Sequence, residues 1–391
     1  MQRSVLLIWF AYIAIFTLLP MGSSLVFGPH PVFYSLDSNL YIQLISAFFL
    51  IFGAAIPVFV KMRPFRLRRL FGLINLYFRV FVIVFILSHI LVYIGFGLDF
   101  RHSIRISSMG FLGYFYALEQ VMIVPFTFFV LRLAVCGAYE KLSEYKVFLT
   151  IYGLVLVTLP FNVFNLLCGS LFIIVLYFPK LLTKKLGITS AILLPSLGIV
   201  ALVGATFIIK GADNFDGLEA VARYLQYRIS IWYTSTELIA NMPLDSRFYL
   251  FSESFADEAS INTVNANVIF NTLFANPRVG AGPGIFASSL YLLPFPLNLF
   301  LVMFYGFMVS YTLKCSGLFK ENRSLFLLIA VFCLLFPFFS SPIQYASLEL
   351  MPLINLVLSV TFLIVAIPKK SISNSDVLAF NTSKGDTTLE K

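Results

Sequence analysis

Arg278 stands in the stretch NTLFANPRVGAGPGIFASSLYLL, residues 271–293, just ahead of Gly280, Gly282 and Gly284 and an apolar run. Pro277 holds its predecessor extended, and the glycines let the backbone turn tightly and come close to a ligand. Backbone N–H groups in such a turn form an anion nest, and a helix starting near Gly284 offers its N-terminus to the same anion. An arginine on the rim adds forked donors. Together these features point to a diphosphate held at a bilayer surface; the alternative is an ordinary loop-to-helix turn. Asn265, Asn267, Asn271 and Thr272 precede the turn and widen its polar rim.

The residues upstream add charge of both signs. Asp216 and Glu219 fit a capping box. Leu218, Val221, Leu225, Ile229, Trp232 and Ile239 then form one apolar stripe, which predicts an amphipathic helix over about 217–240. Such a helix lies at the membrane surface or against a helical bundle. Glu219, Arg223 and Glu237 fall on its polar face, where Glu219 pairs with Arg223 one turn on. Arg228 sits beside the stripe, with Tyr224 and Trp232 one turn away on either side. It either snorkels or binds an anionic head group. Trp232, Tyr233 and Tyr227 suit stacking on sugar rings or anchoring at an interface. Arg247, Glu253, Asp257 and Glu258 follow the helix.

A second pair lies inside apolar runs. His89 comes about eight residues before the end of one run, and Glu119 about eight residues after the start of the next. At 1.5 Å per residue both are about 12 Å deep. Ionisable groups at such depth default to function and usually have a partner. The sequence predicts that these two pair, either lining a substrate cleft or steadying a bundle. Arg79, near the start of the same run as His89, is expected to snorkel.

These groups are positioned by an unusually apolar chain. Of 391 residues, 60% are hydrophobic and 12% charged. Soluble domains carry about twice that share of charge. The apolar runs are long and unbroken, so the fold class is an all-α polytopic integral membrane protein. About ten spans are expected, at 4–27, 38–60, 72–97, 111–135, 147–161, 163–178, 187–209, 288–313, 324–340 and 350–367. The fifth and sixth are short, with Pro160 and Asn162 marking the turn between them. The N-terminal run is read as an uncleaved first helix. Residues 1–209 then hold seven spans, 210–287 one large outward loop, 288–367 three more spans, and 368–391 a polar disordered tail.

The net charge of +9 is read as positive-inside charge and not as affinity for nucleic acid. Lys and Arg crowd the connectors at 61–69, 141–146, 180–185 and 314–323 and the tail, which puts both termini in the cytoplasm. Cys136, Cys168, Cys315 and Cys333 all lie outside the large loop, so no disulfide framework is expected. His30, His89 and His102 have no metal-ligand spacing, and neither an Asp-x-Asp nor a Walker-type phosphate loop occurs. No cofactor or metal is expected.

The ten-span plan, the late arginine-bearing loop and the segment NVIFNTLFANPRVGAGPGIFASSLYLLPFPLNLFLVMFYGFM, residues 267–309 with its mid-span Gly306, resemble the O-antigen or oligosaccharide repeat-unit polymerases of Wzy type. Many relatives carry a Gly-Ser-Arg-like element in a mid-chain span. Here NLLCGSLFII, residues 165–174, has Gly169 and Ser170 but Leu171 in the arginine's place.

The resemblance implies a metal-independent glycosyltransferase of the bacterial inner membrane. On the periplasmic face it would join undecaprenyl-diphosphate-linked oligosaccharide repeat units, among membrane lipids and beside a chain-length regulator. A diphosphate leaving group needs its developing charge stabilised, which Arg278 and Arg228, then Arg223 and Arg247, would supply. A carboxylate would serve as general base to the acceptor hydroxyl, with Glu237, Glu253 and Asp257 as candidates. Asn271 and the three glycines would contact substrate. Two rivals stand beside this: an O-antigen ligase or other lipid-linked-sugar glycosyltransferase, and a lipid-linked oligosaccharide flippase. Ligases tend to rely on a histidine in the large loop, and 210–287 has none. A flippase should carry more charge through its spans.

Overall fold

The structure, a computed structural model, describes residues 2–22, 40–60, 71–96, 111–135, 139–159, 163–182, 230–241, 284–316, 318–319, 324–335 and 339. Among these residues every regular element is a helix. The expected spans at 187–209 and 350–367 and the tail fall outside them.

The first helix, α1, is Gln2–Ile13 and continues through a π-helical turn, Ala14–Leu18. Next come α2 (Leu40–Phe59), α3 (Phe71–Phe96) and α4 (Phe111–Val135). A short α5 (Tyr139–Glu144) leads into α6 (Lys146–Thr158) and α7 (Val163–Tyr177). A further helix, α8, covers 230–241. It is followed by α9 (Gly284–Leu292), α10 (Asn298–Ser316) and α11 (Leu325–Leu334).

Among the described residues three helical stretches are long and apolar enough to cross a membrane: Ser4–Gly22, Leu40–Phe59 and Phe78–Gly95. Apolar side chains face outward on these stretches and on α10: Phe10, Phe48, Phe52, Leu87, Ile94, Phe300 and Phe304 are exposed. In water a continuous skin of this kind would drive aggregation, whereas hydrocarbon solvates it. This is the build of a helical membrane protein.

Lipid gives no hydrophobic drive between helices, so close packing has to hold them together. The most extensive pairing is α2 with α10, followed by α6 with α7. Small residues make both possible. A Cβ on Gly53 would sit 2.0 Å from the Met303 carbonyl oxygen, and one on Gly306 would sit 2.3 Å from that of Leu50. The α2 and α10 backbones therefore touch. Gly169, the glycine of the NLLCGSLFII element, faces Gly153: its Cβ would lie 2.8 Å from the Gly153 carbonyl oxygen. In this fold it serves the crossing of α6 and α7. Lys314 closes the end of α2 by donating to the carbonyls of Pro57 and Val60, two of the acceptors a helix end leaves open. Ser324 caps α11, accepting from the Leu327 N–H and donating to the Leu181 carbonyl.

One expected span is broken. The sequence reads 288–313 as a single helix, but the structure has α9 and α10 separated by Leu293–Leu297. Pro294 and Pro296 have no N–H to continue the ladder, and each disfavours a helical residue before it. All nine residues of α9 are buried, so it is an interior piece and not the outer end of a lipid-facing span.

Candidate functional site

Helix α8 sits inside the bundle. Every residue from Ser230 to Glu237 is buried. This corrects the expectation of a solvent-facing polar side at Glu237. The reason is local: Thr234, Ser235 and Thr236 donate their hydroxyls to the carbonyls of Ser230, Ile231 and Trp232, one turn back, at 2.8, 2.6 and 2.8 Å. A polar run that satisfies itself in this way can be buried at little cost.

Trp232 is held by aromatic neighbours. Its ring lies 5.5 Å from that of Tyr12, nearly parallel, and 4.0 Å from that of Phe16 in the π-helical turn. Its Cβ closes on Gly284, where φ is +80° and a side chain would collide at 2.8 Å. The glycine is needed there for both reasons. The Tyr12 hydroxyl makes a backbone hydrogen bond with Ile285, in the first turn of α9. The start of α9 thus faces Tyr12 and Trp232 in this fold. Trp232 and Tyr233 are buried, and the Trp232 ring is taken up by Tyr12 and Phe16.

Glu237 is 2% exposed. The Gln43 side chain on α2 donates through Nε2 to Glu237 Oε1 at 2.8 Å and to the Tyr233 carbonyl at 3.2 Å. Both partners are acceptors, which fixes the amide's orientation and turns Gln43 Oε1 away from them. Around this pair Ile42, Ile239, Ala287, Leu290 and Tyr291 form a small apolar cluster that joins α2, α8 and α9. A buried carboxylate in an apolar bundle is costly to keep and must be paired and hydrogen-bonded.

The second centre joins α3, α4 and α6. His89 Nδ1 lies 3.1 Å from both oxygens of Glu119, and both residues are fully buried. Tyr152 donates to Glu119 Oε1 at 2.9 Å. His89 Nε2 reaches the Leu159 carbonyl at 2.7 Å, just past the end of α6. The two side chains placed at equal depth by sequence are in contact. Arg79 is half-exposed and lies 3.5 Å from Glu144 and over the Tyr145 ring.

Comparison with family models, curated proteins and solved structures finds no match.

Of the residues singled out by sequence, the structure brings together Glu237, Trp232, Tyr233 and Gly284 in one centre, and His89 and Glu119 in the other. Arg223, Arg228, Arg247, Glu253, Asp257, Asn271, Arg278, Gly280 and Gly282 lie outside the described residues. Among the described residues no group of three or more His, Cys, Asp or Glu side chains could hold a metal ion. Sequence reasoning missed Gln43 and Tyr152. The signal for Gln43 was present, as an uncharged amide in an otherwise apolar span has to find a partner.

Proposed function

We propose that this chain polymerises lipid-linked oligosaccharide repeat units, with Glu237 as the general base. The observation that carries this is the buried Glu237 carboxylate, oriented by Gln43, on the helix whose Ile239 packs against α9, part of the segment that resembles the polymerases. The acceptor hydroxyl oxygen attacks the anomeric carbon of the growing glycan. The carbon–oxygen bond to the diphosphate breaks, undecaprenyl diphosphate leaves, and the hydroxyl proton passes to Glu237 and on to water. Gln43 holds Oε1 in place for this step. The leaving diphosphate is stabilised by Arg278 and Arg228, with Arg223 and Arg247 beside them.

In this reading the chain is an inner-membrane protein of about ten spans with both termini cytoplasmic and 210–287 facing the periplasm. The tight α2–α10 contact and the exposed apolar side chains of α1, α2, α3 and α10 support it, as does the burial of α9 beside the loop helix.

The test is a gel of surface lipopolysaccharide from a source strain lacking the gene, complemented with wild type, Glu237→Gln or Arg278→Ala at equal protein level. Deletion should collapse the ladder to core plus one repeat, with wild type restoring it and neither variant doing so. Core without any repeat, together with accumulated lipid-linked polymer, identifies a ligase instead. Loss of both polymer and outward-facing lipid-linked units identifies a flippase, the reading that the buried His89–Glu119 pair would favour.

A further inference from the structure

On α2, α9 and α10 the structure keeps a set of buried polar atoms without partners. Gln43 Oε1, Ser46 Oγ, Ser288 Oγ and Asn298 Oδ1 have no hydrogen bond among the described residues. Their side chains are at most 1% exposed. The placement is shared. Ser46 lies one turn along α2 from Gln43, which binds Glu237. Ser288 adjoins Ala287, a member of the cluster with Ile42 and Ile239. Asn298, at the start of α10, lies 3.5 Å through Nδ2 from the hydroxyl of Ser289, the neighbour of Ser288.

Buried polar atoms are satisfied in almost all native interiors, and each orphan costs stability. Several on the packed helices α2, α9 and α10, one of them on the amide that binds Glu237, indicate a place where something else supplies the partners. The chemistry of the set limits what that is. The two amide oxygens accept only, the two hydroxyls donate and accept, and Glu237 accepts. None of these side chains is cationic. A phosphate would meet a carboxylate and a surplus of acceptors, so it is disfavoured here. A neutral ring bearing several hydroxyls offers O–H donors to the amide oxygens and lone pairs to the serines.

We infer that Gln43, Ser46, Ser288 and Asn298 form, with Glu237, a binding site for a neutral polyhydroxylated ligand, namely the sugar ring whose hydroxyl accepts the growing glycan. The assignment to the acceptor rests on the polymerase reading; the hydroxyl chemistry follows from the side chains alone.

Ser46→Ala and Ser288→Ala test this, singly and together, in the full-length protein. The hydroxyls have no partner among the described residues, so their loss should leave the melting temperature of the detergent-purified protein equal to or above wild type. In the gene-deleted strain the double variant should fail to restore long chains. A lipid-free repeat-unit oligosaccharide, released from the strain's own polysaccharide by mild acid, should raise the wild-type melting temperature. Its apparent affinity should fall at least tenfold in the double variant, while inorganic diphosphate should act equally on both proteins. A double variant with a full ladder and an unaltered oligosaccharide shift overturns the site and leaves only buried water there. Diphosphate binding weakened by the serine changes overturns it too. An unchanged ladder on gene deletion sinks the polymerase reading instead, and the oligosaccharide shift then decides the site by itself.

Discussion

His89 Nδ1 lies 3.1 Å from both Glu119 oxygens, while its Nε2 lies 2.7 Å from the Leu159 carbonyl. A carbonyl only accepts, so Nε2 carries a hydrogen. One further proton must then lie between Nδ1 and the carboxylate, on either the nitrogen or the oxygen. In both forms the pair is neutral overall, which suits an apolar interior.

That proton count makes a prediction about substitutions. Glu119→Gln should keep the contact, since its amide can donate to Nδ1. Glu119→Ala or His89→Leu should each cost about 3–5 kcal/mol, because the remaining polar group is left buried alone. Thermal unfolding of the purified protein measures this. The double variant Glu119→Ala, His89→Leu should be at least about 1 kcal/mol less damaging than the sum of its parts. Strict additivity would show that the contact carries no coupling.

The α2–α10 interface should tolerate no side chain at its crossing. A Cβ at Gly306 meets backbone of α2 and not a flexible side chain, so α2 and α10 would have to move apart. Gly306→Ala should cost about 1–3 kcal/mol, and Gly306→Val should lower the yield of folded protein in detergent well below that of Ala. A fully stable Gly306→Val protein, seen as an unshifted monodisperse peak in size exclusion, would contradict this packing.

Trp232 should behave as a core residue. Its ring packs against both Tyr12 and Phe16, so Trp232→Ala should cost about 3–5 kcal/mol in thermal unfolding. Trp232→Phe should restore most of the stability and the activity with it. Full stability in Trp232→Ala alongside a raised KM for substrate would return Trp232 to the role of a sugar-stacking platform.

What the sequence made legible was whatever depends on depth and period. His89 and Glu119 could be matched because helical rise converts position into depth. The short hairpin of α6 and α7 was readable from Pro160 and Asn162. The contact of Gln43 with Glu237 was not readable, since it joins residues 194 apart in the chain. A helical period separates polar from apolar faces but does not say what each face meets. In α8 the hydroxyls of Thr234, Ser235 and Thr236 turn back onto their own helix, so a polar side became an interior one. The α9–α10 break was hidden because Leu293, Phe295 and Leu297 keep hydropathy high across two prolines.

The central claim is tested most directly by reconstituting the purified full-length chain in lipid bilayers with lipid-linked repeat units from the source strain, with no nucleotide or other protein added. The account predicts that glycan of two or more repeats forms, with one undecaprenyl diphosphate released per bond made, and that Glu237→Gln lowers the rate at least a hundredfold without unfolding the protein. Repeat units that stay single under these conditions, or a Glu237→Gln protein that polymerises at the wild-type rate, would contradict it.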